Sequence, residues 1–358
     1  MGKLAVQKYF SFMILIVTVM MMIFTIVGLF GGNINPAGNT ARSLLVYALP
    51  LLIIGNLILL IYWLIMRCWH WALIPFITIL CCIPYMGTLY QFGGSNEAAE
   101  KQPGIKIATY NVALFGRETS GFMSQDILSE MKKQKVDILC FQEYSDYSGD
   151  KKVSDSYKEY FPYMVFGQGD MVIFSRYPIV NKKNIPFEMT NNSAMWAEIK
   201  VNNKVIRVYN AHLETTGINS TLHRASKIQN SGIEVESNTL LRAIYGNYTL
   251  GMMARAGQAN VVAMDMRESE VPVIVCGDFN DVPYSYVYNT MLGDKVDGFK
   301  ECGSGFMDTF RGGNKKVRID YIFHDKALKG LNYYKKDITY SDHYPIFMKL
   351  SIDKEEED

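Results

Sequence analysis

The stretch Val271-Pro272-Val273-Ile274-Val275-Cys276-Gly277-Asp278-Phe279-Asn280-Asp281 decides how the rest of the chain is read. Its first half is apolar and mostly β-branched, as in a strand buried on both faces, and it stops abruptly in turn formers. Alone, Gly277 to Asp281 is as consistent with a plain turn as with a site. Working outward, apolar runs of the same kind recur at 105–110, 137–141, 171–174, 194–201, 205–210, 318–323 and 346–352. Each is read as a strand. Helical pattern falls at 124–133 and at 250–267, where Met253, Ala256, Gln258, Val261 and Met264 recur on helical spacing. Strands thus outnumber helices, which predicts two sheets packed face to face, helices outside, and a site at one rim.

The polar residues make that rim interesting. Asn111 ends the first run, Glu143 the second, and His212 follows the run at 205–210. Asp278 and Asn280 follow 271–276, Asp320 lies inside 318–323, and Asp342-His343 stand just before the last run. Singly, each has a bland reading: Glu143 a solvated loop carboxylate, Asn111 a turn residue, His212 a satisfied structural histidine. Together they place a carboxylate, amide or imidazole at one strand–loop junction after another, where a rigid scaffold aims side chains into a shared cleft.

The N-terminal quarter is of another kind. All 35 Asp and Glu residues lie beyond residue 96, and residues 1–94 hold only Lys3, Lys8, Arg42 and Arg67 as strong bases. Tyr9–Phe30, Ser43–Met66 and Trp71–Phe92 carry no charge, and each exceeds the roughly 20 residues a helix needs to cross a bilayer. The expectation is a transmembrane region, 1–92, with spans at about 9–30, 43–66 and 71–92, kinked at Pro50, Pro75 and Pro84. A cleaved signal peptide is disfavoured, since the first stretch is too long and Gly31–Pro36 offers no small-x-small site. Lys3, Lys8 and Arg67 fall on one side against Arg42 on the other. That bias predicts a multi-pass integral membrane protein with its catalytic domain on the extracytoplasmic side. A polar linker, 93–104, then leads into a folded domain, 105–352, and an acidic tail, 353–358.

Beyond residue 94 there are 32 basic and 35 acidic side chains. Near-neutrality excludes a strongly basic nucleic-acid footprint, and abundant aromatics exclude a disordered acidic chain. Lys182-Lys183, Lys315-Lys316-Arg318 and Lys335-Lys336 read as solvated faces or local anion contacts. Cys140, Cys276 and Cys302 have no metal-site spacing and read as buried thiols, with one disulfide left open. Between His212 and Asp278, the polar stretch 215–239 reads as a surface loop, and Arg255 and Gln258 as part of a covering helix. The sharper reading of this insertion is a substrate lid or a bilayer contact.

The ordered set Thr109-Tyr110-Asn111, Phe141-Gln142-Glu143, Phe174-Ser175-Arg176-Tyr177-Pro178, Asn210-Ala211-His212-Leu213, Gly277-Asp278-Phe279-Asn280, Ile319-Asp320-Tyr321-Ile322 and Ser341-Asp342-His343 resembles the endonuclease/exonuclease/phosphatase (DNase I-like) superfamily over about residues 105–352. Its members include DNase I-like and abasic-site nucleases, sphingomyelinases and inositol phosphatases. The resemblance implies an α/β (α+β) fold, a four-layer α/β/β/α sandwich of two mixed sheets, and divalent-metal phosphoester hydrolysis. It implies that Asn111 and Glu143 hold Mg²⁺, with Asp342 nearby. His212 would contact the phosphate, Asp278 and Asn280 would place the attacking water, and Asp320 would orient His343. Arg176 has two readings, a phosphate contact and a turn residue before Tyr177-Pro178. Asp308 is a looser match.

Elementary chemistry reaches the same roles. An anionic phosphoester repels hydroxide, so a site must neutralise the phosphoryl oxygens, deprotonate water and stabilise the leaving alkoxide. Mg²⁺, or Mn²⁺ as a substitute, needs few protein oxygens, and no Cys or His cluster suggests zinc. Asp278 can take the water's proton, Asn280 can fix that water, and His343 beside Asp320 would stay protonated. Which of Asp278 and His343 is the base stays open. The function classes are a membrane-anchored Mg²⁺-dependent phosphodiesterase or nuclease, a sphingomyelinase-like or phosphoinositide-like headgroup hydrolase, and a non-catalytic membrane scaffold. The expected partners are a phosphoester substrate, nucleic acid or phospholipid headgroup, and the bilayer itself.

Overall fold

The computed structural model describes residues 3–352 except 39, 94–96, 118–119, 145–150, 189, 232–235 and 315. The expected acidic tail, 353–358, and part of the expected linker lie outside the described residues. The chain separates into two compact units, one running through Thr88 and including Val282–Asn289, the other running from Leu89 to Asp281 and resuming at Thr290.

The first unit is built on α1 (Lys3–Gly31), α2 (Thr40–Ile65), α3 (Trp69–Cys81) and a short α4 (Ile83–Met86). Three stretches are long and apolar enough to cross a membrane: Lys8–Gly31, Thr40–Ile65 and Trp69–Met86. Their outer faces carry exposed Phe12, Ile23, Leu51, Ile58 and Phe76, a surface suited to lipid and costly in water. Inside, Asn56 Nδ2 donates to Thr25 Oγ1 (2.9 Å) and Trp63 Nε1 to Thr18 Oγ1 (3.0 Å). Such interhelical bonds matter where no water competes. Pro50 and Pro75 lie inside helices as expected. The third stretch is shorter than the 71–92 read from sequence. The helix breaks at Cys82, where Pro84 opens α4, and Tyr90–Gln91 pairs as a strand with Gly305–Phe306.

The second unit is a sandwich. Its strands are β1 (Ile105–Asn111), β2 (Ile138–Gln142), β3 (Tyr163–Phe166), β4 (Val172–Ser175), β5 (Ile179–Pro186) and β6 (Ser193–Val201). They continue as β7 (Lys204–His212), β8 (Val273–Asp278), β9 (Val296–Asp297), β10 (Asp320–His324), β11 (Lys329–Lys335) and β12 (Ile346–Ser351). Two six-stranded sheets result, ordered β9-β10-β8-β7-β6-β5 and β11-β12-β1-β2-β4-β3. Both are mixed: β1–β2 and β7–β8 are parallel and the other pairs antiparallel. Alternation along β1 explains the layering. Ile105 and Ile107 enter the core between the sheets with Cys140, Ile173, Val208, Ile274 and Ile322. Ala108 and Tyr110 turn outward with Phe141 and Phe174.

Helices cover the outer faces. After α5 (Glu97–Lys101), α6 (Phe122–Lys133) and α7 (Lys151–Tyr160) supply Ile127, Leu128, Met131, Val153 and Tyr157 to the cluster under Phe141. The insertion is helical: α8 (Ile218–Asn230) and α9 (Ser237–Arg267), with 232–235 outside the described residues. Buried Arg255 and Gln258 belong to α9. Asp265 ties α9 to the sheet by accepting from Trp196 Nε1 (2.8 Å) and Tyr209 OH (2.7 Å). Cys140 and Cys276 are buried and all the cysteines are unpaired thiols. Between β8 and β10 lie α10 (Tyr286–Leu292), of which the residues through Asn289 belong to the first unit, and α11 (Gly298–Cys302).

Candidate active site

Strand register builds the site at one rim of the sandwich. In one sheet, His212 ends β7 opposite Asp278, the last residue of parallel β8, and Asp278 in turn opposes Asp320, the first residue of antiparallel β10. One row therefore delivers an imidazole and two carboxylates. In the other sheet Asn111 ends β1 opposite Gln142, and Glu143 follows with φ 49°. Asn280 sits at φ 53° just past β8. Non-glycine residues in this region are uncommon, and their strain concentrates at functional sites. Gly277 is fixed by space as well as conformation: at φ +133° a Cβ there would lie 2.0 Å from the Ala211 carbonyl oxygen.

Asp278 is the hub. Its Oδ2 accepts from Asn111 Nδ2 (3.1 Å) and Asn280 Nδ2 (3.3 Å), and its Oδ1 from the Asn280 backbone N–H (2.8 Å). Asn280 Nδ2 also donates to the Leu213 carbonyl (2.9 Å). His343 Nε2 lies 3.6 Å and His212 Nε2 4.0 Å from Asp278 Oδ2. His343 Nδ1 meets both oxygens of Asp320, at 3.0 and 3.1 Å. The Asn111–Asp278 bond joins the two sheets, and Asn111 Nδ2 also reaches Glu143 Oε1 at 3.0 Å. His343, Asp278, Asn111 and Glu143 thus form one contiguous chain of contacts.

The electrostatics follow from burial among like charges. Burial, with Asp320 nearby, pushes Asp278 up to about 6 although His343 and His212 act against it. Burial would lower His343, but the charges of Asp320, Asp278 and Asp342 outweigh it and push the imidazole up to about 10. His212 is raised too, because Asp170, Asp278 and Glu143 outweigh its desolvation. His343 is thus held protonated beside a carboxylate whose proton affinity is within reach of neutral pH.

Asp278, Asp320 and His343 offer ligand atoms within 4.8 Å of one another. His343 Nδ1 is taken up by Asp320, and we read these three as a proton-handling group. The donors suited to a hard cation lie beside it. Glu143 is 34% exposed at its side chain, and its Oε2 has no partner among the described residues. Asn111 Oδ1 accepts one backbone N–H, from Ala113, and keeps a lone pair. A partly exposed carboxylate beside a buried amide oxygen fits Mg²⁺, which keeps several waters. Asp342 is exposed on the same loop as His343.

One expected residue is elsewhere. Arg176 follows β4, whose Ser175 opposes Ile138 at the beginning of β2, the far end from Gln142. Its guanidinium pairs with Asp137 (2.9 Å). The strand is antiparallel, so the residue after it emerges at the opposite rim, and the substrate-contact reading of Arg176 is corrected. Asp308, the looser match, is paired with Lys335. Other residues had no role assigned from sequence. Asp170 Oδ1 stands 3.8 Å from His212 Nδ1. Gln142 Nε2 bonds Thr109 Oγ1 (2.9 Å) and Asn210 Oδ1 (2.6 Å) between the sheets. Ser341 Oγ donates to the Asn111 carbonyl (2.7 Å) and accepts from the His343 N–H (3.1 Å), tying two site loops together. Asp170 carried the same signal as Glu143, an acid at a strand end.

The profile described as the endonuclease/exonuclease/phosphatase family matches residues 108–343, and one described as a domain of unknown function matches residues 11–89. The chain belongs to the endonuclease/exonuclease/phosphatase family, a family of phosphoester hydrolases. No curated protein matches. Among solved structures it is similar to a mannosyl-6-phosphatase of Bacteroides thetaiotaomicron VPI-5482 (18% identity, TM-score 0.48, 69% of this chain and 100% of that one). It is similar as well to D. rerio TDP2 complexed with single strand DNA product (16%, 0.48, 70% and 100%). Sphingomyelinase C from Streptomyces griseocarneus is a third (15%, 0.45, 69% and 99%).

Proposed function

We propose that the chain is a membrane-anchored, Mg²⁺-dependent phosphodiesterase, acting by in-line attack of water and held in the bilayer by three spans with its catalytic domain on the extracytoplasmic side. The observation that carries this reading is the position of Asp278, bonded by Asn111 and Asn280 and flanked by His212 and His343 within 4.0 Å. Asn111 and Glu143, with Asp342 near, would hold Mg²⁺, which when bound supplies charge neutralisation at the phosphoryl oxygens. Asp278, with its raised proton affinity, accepts the proton of the attacking water, and Asn280 fixes that water. His343, protonated and held by Asp320, and His212, beside it, donate to phosphoryl oxygens as charge builds. Two strained backbones, at Glu143 and Asn280, support preorganisation of these groups.

A phosphodiester of nucleic acid and a phospholipid headgroup both fit this chemistry. The headgroup reading is favoured by the three apolar helices on the same chain, because tethering raises the effective concentration of lipid substrate. The deciding experiment is turnover with Mg²⁺ and, in parallel, EDTA over plasmid DNA, RNA, sphingomyelin-type lipids and inositol phosphates. Asp278→Ala and His343→Ala should each lose about two orders of magnitude or more on the true substrate. Metal-independent turnover would refute the reading, and a protein that binds no Mg²⁺ would favour a scaffold.

A further inference from the structure

The rim opposite the catalytic one holds a cavity of about 680 Å³ whose charge is out of balance. Six cations line it, Lys106, Lys133, Lys135, Arg176, Lys336 and Lys349, against the carboxylates of Glu100 and Asp137. Both carboxylates are already engaged. Glu100 pairs with Lys106 (2.8 Å) and accepts from Asn332 (2.8 Å), while Asp137 takes Arg176 (2.9 Å) and the Lys106 N–H (2.9 Å). Among the described residues Lys135, Lys336 and Lys349 form no ion pair.

Register makes the imbalance a property of the fold. Lys106 on β1 and Lys349 on β12 are direct cross-strand partners. They are only 8% and 9% exposed. Like charges directly opposed across a ladder destabilise it, and burial deepens the cost. Lys349 Nζ has a backbone carbonyl, that of Glu100 at 2.5 Å, where a counter-ion would be expected. Burial, with Lys106 and Lys135 close by, holds its pKa below the usual lysine value. Glu100 pairs with Lys106 and leaves Lys349 with no ion pair among the described residues, so the cluster points to an anion that neutralises it.

We propose that this basin is a second, non-catalytic site for a ligand with a multiply charged phosphate group, a pyrophosphate- or phosphomonoester-bearing small molecule or lipid headgroup. Compact ammonium groups suit tetrahedral phosphate oxygens, and with Lys133 meeting Glu130 (3.7 Å) the three lysines left without an ion pair call for more than one negative charge. The volume suits a small organic ligand better than a lone phosphate. The five residues from Lys106 to Asn111 span about 17 Å of strand, so the basin is separate from the catalytic groups.

The test uses the full chain in zwitterionic detergent with EDTA, titrated calorimetrically with inorganic pyrophosphate. Saturable binding is expected, weakened on the order of a hundredfold by Lys135→Glu with Lys336→Glu, two accessible positions whose reversal leaves the buried floor alone. His343→Ala should bind as the parent does, which separates this basin from the catalytic rim. Turnover of a soluble phosphodiester by the double variant should be unchanged. Phosphatidic acid added to the micelles displaces pyrophosphate if the source is a headgroup, and leaves it bound if the ligand is free in solution. Absence of saturable binding, or binding indifferent to the charge reversal, overturns the proposal.

Discussion

Asp278 and Asp320 face each other across the antiparallel pair β8–β10, both almost wholly buried, with the His343 imidazole reaching each of them. Two carboxylates so placed repel, and a proton held on His343 is what makes the pair tolerable. Asp320→Asn removes the stronger partner while keeping shape. We expect a folded protein whose kcat falls by about 10²–10⁴, with no further loss when His343→Ala is added, because the two act as one unit. Circular dichroism and steady-state rates check this, and additive losses would show that Asp320 acts independently of the histidine.

Glu143 stands at the edge of that group, its Oε1 accepting from the Asn111 amide (3.0 Å) and lying 3.8 Å from His212 Nε2. If it is a cation ligand, Glu143→Gln should raise the Mg²⁺ concentration needed for half-maximal activity by roughly 10–100-fold, the scale seen when metal sites lose a supporting group. Mn²⁺ binding followed by electron paramagnetic resonance gives a readout independent of turnover. Unaltered Mn²⁺ affinity would remove Glu143 from the metal set.

Much of this arrangement was legible because strand ends are both sequence signals and places where side chains can converge. Asn111, Glu143, His212, Asp278 and Asp320 each follow or open an apolar run, and pairing at the rim brings them together. Arg176 misled because a sequence does not state strand direction: it follows a run as Glu143 does, but β4 is antiparallel to β2. β5 and β11 escaped notice because their exposed edges are polar, as in Asn181-Lys182-Lys183-Asn184. α8 is mostly polar and, where described, mostly exposed, while α9 has little amphipathic contrast to announce its first half and buries residues mainly from Tyr248 onward.

Away from the site, Arg318 and Asp297 form a bidentate pair at 2.8 and 2.6 Å, with side chains 0% and 1% exposed. Asp297 Oδ1 also caps α11 by accepting from the Phe299 N–H (3.0 Å). Asp297→Ala strands a buried guanidinium and an uncapped helix, and should destabilise the sandwich by about 3–5 kcal/mol. Denaturant midpoints of the full chain in detergent measure this. A loss no larger than that of a surface substitution would show that water reaches Arg318.

Asp265 gives a prediction with a pH signature. Burial raises its pKa, but hydrogen bonds from Lys183, Tyr209 and Trp196 and the Lys183 charge outweigh that, so the carboxyl lies below its ordinary value. A depressed folded-state pKa means stability that is fully present above the unfolded value of about 3.9 and is lost as pH falls through the lower, folded one. Asp265→Asn keeps the shape but weakens the charge-assisted bonds that clip α9 to β5, β6 and β7, at a cost of about 1–3 kcal/mol near neutrality. The difference from the parent should shrink as pH drops below about 4, where the unfolded chain's carboxyl protonates first, and should be gone below the lower, folded-state value. Denaturation midpoints at neutral and acid pH test the sign. A gap that widens on acidification would mean that Asp265 is not held ionised by these donors.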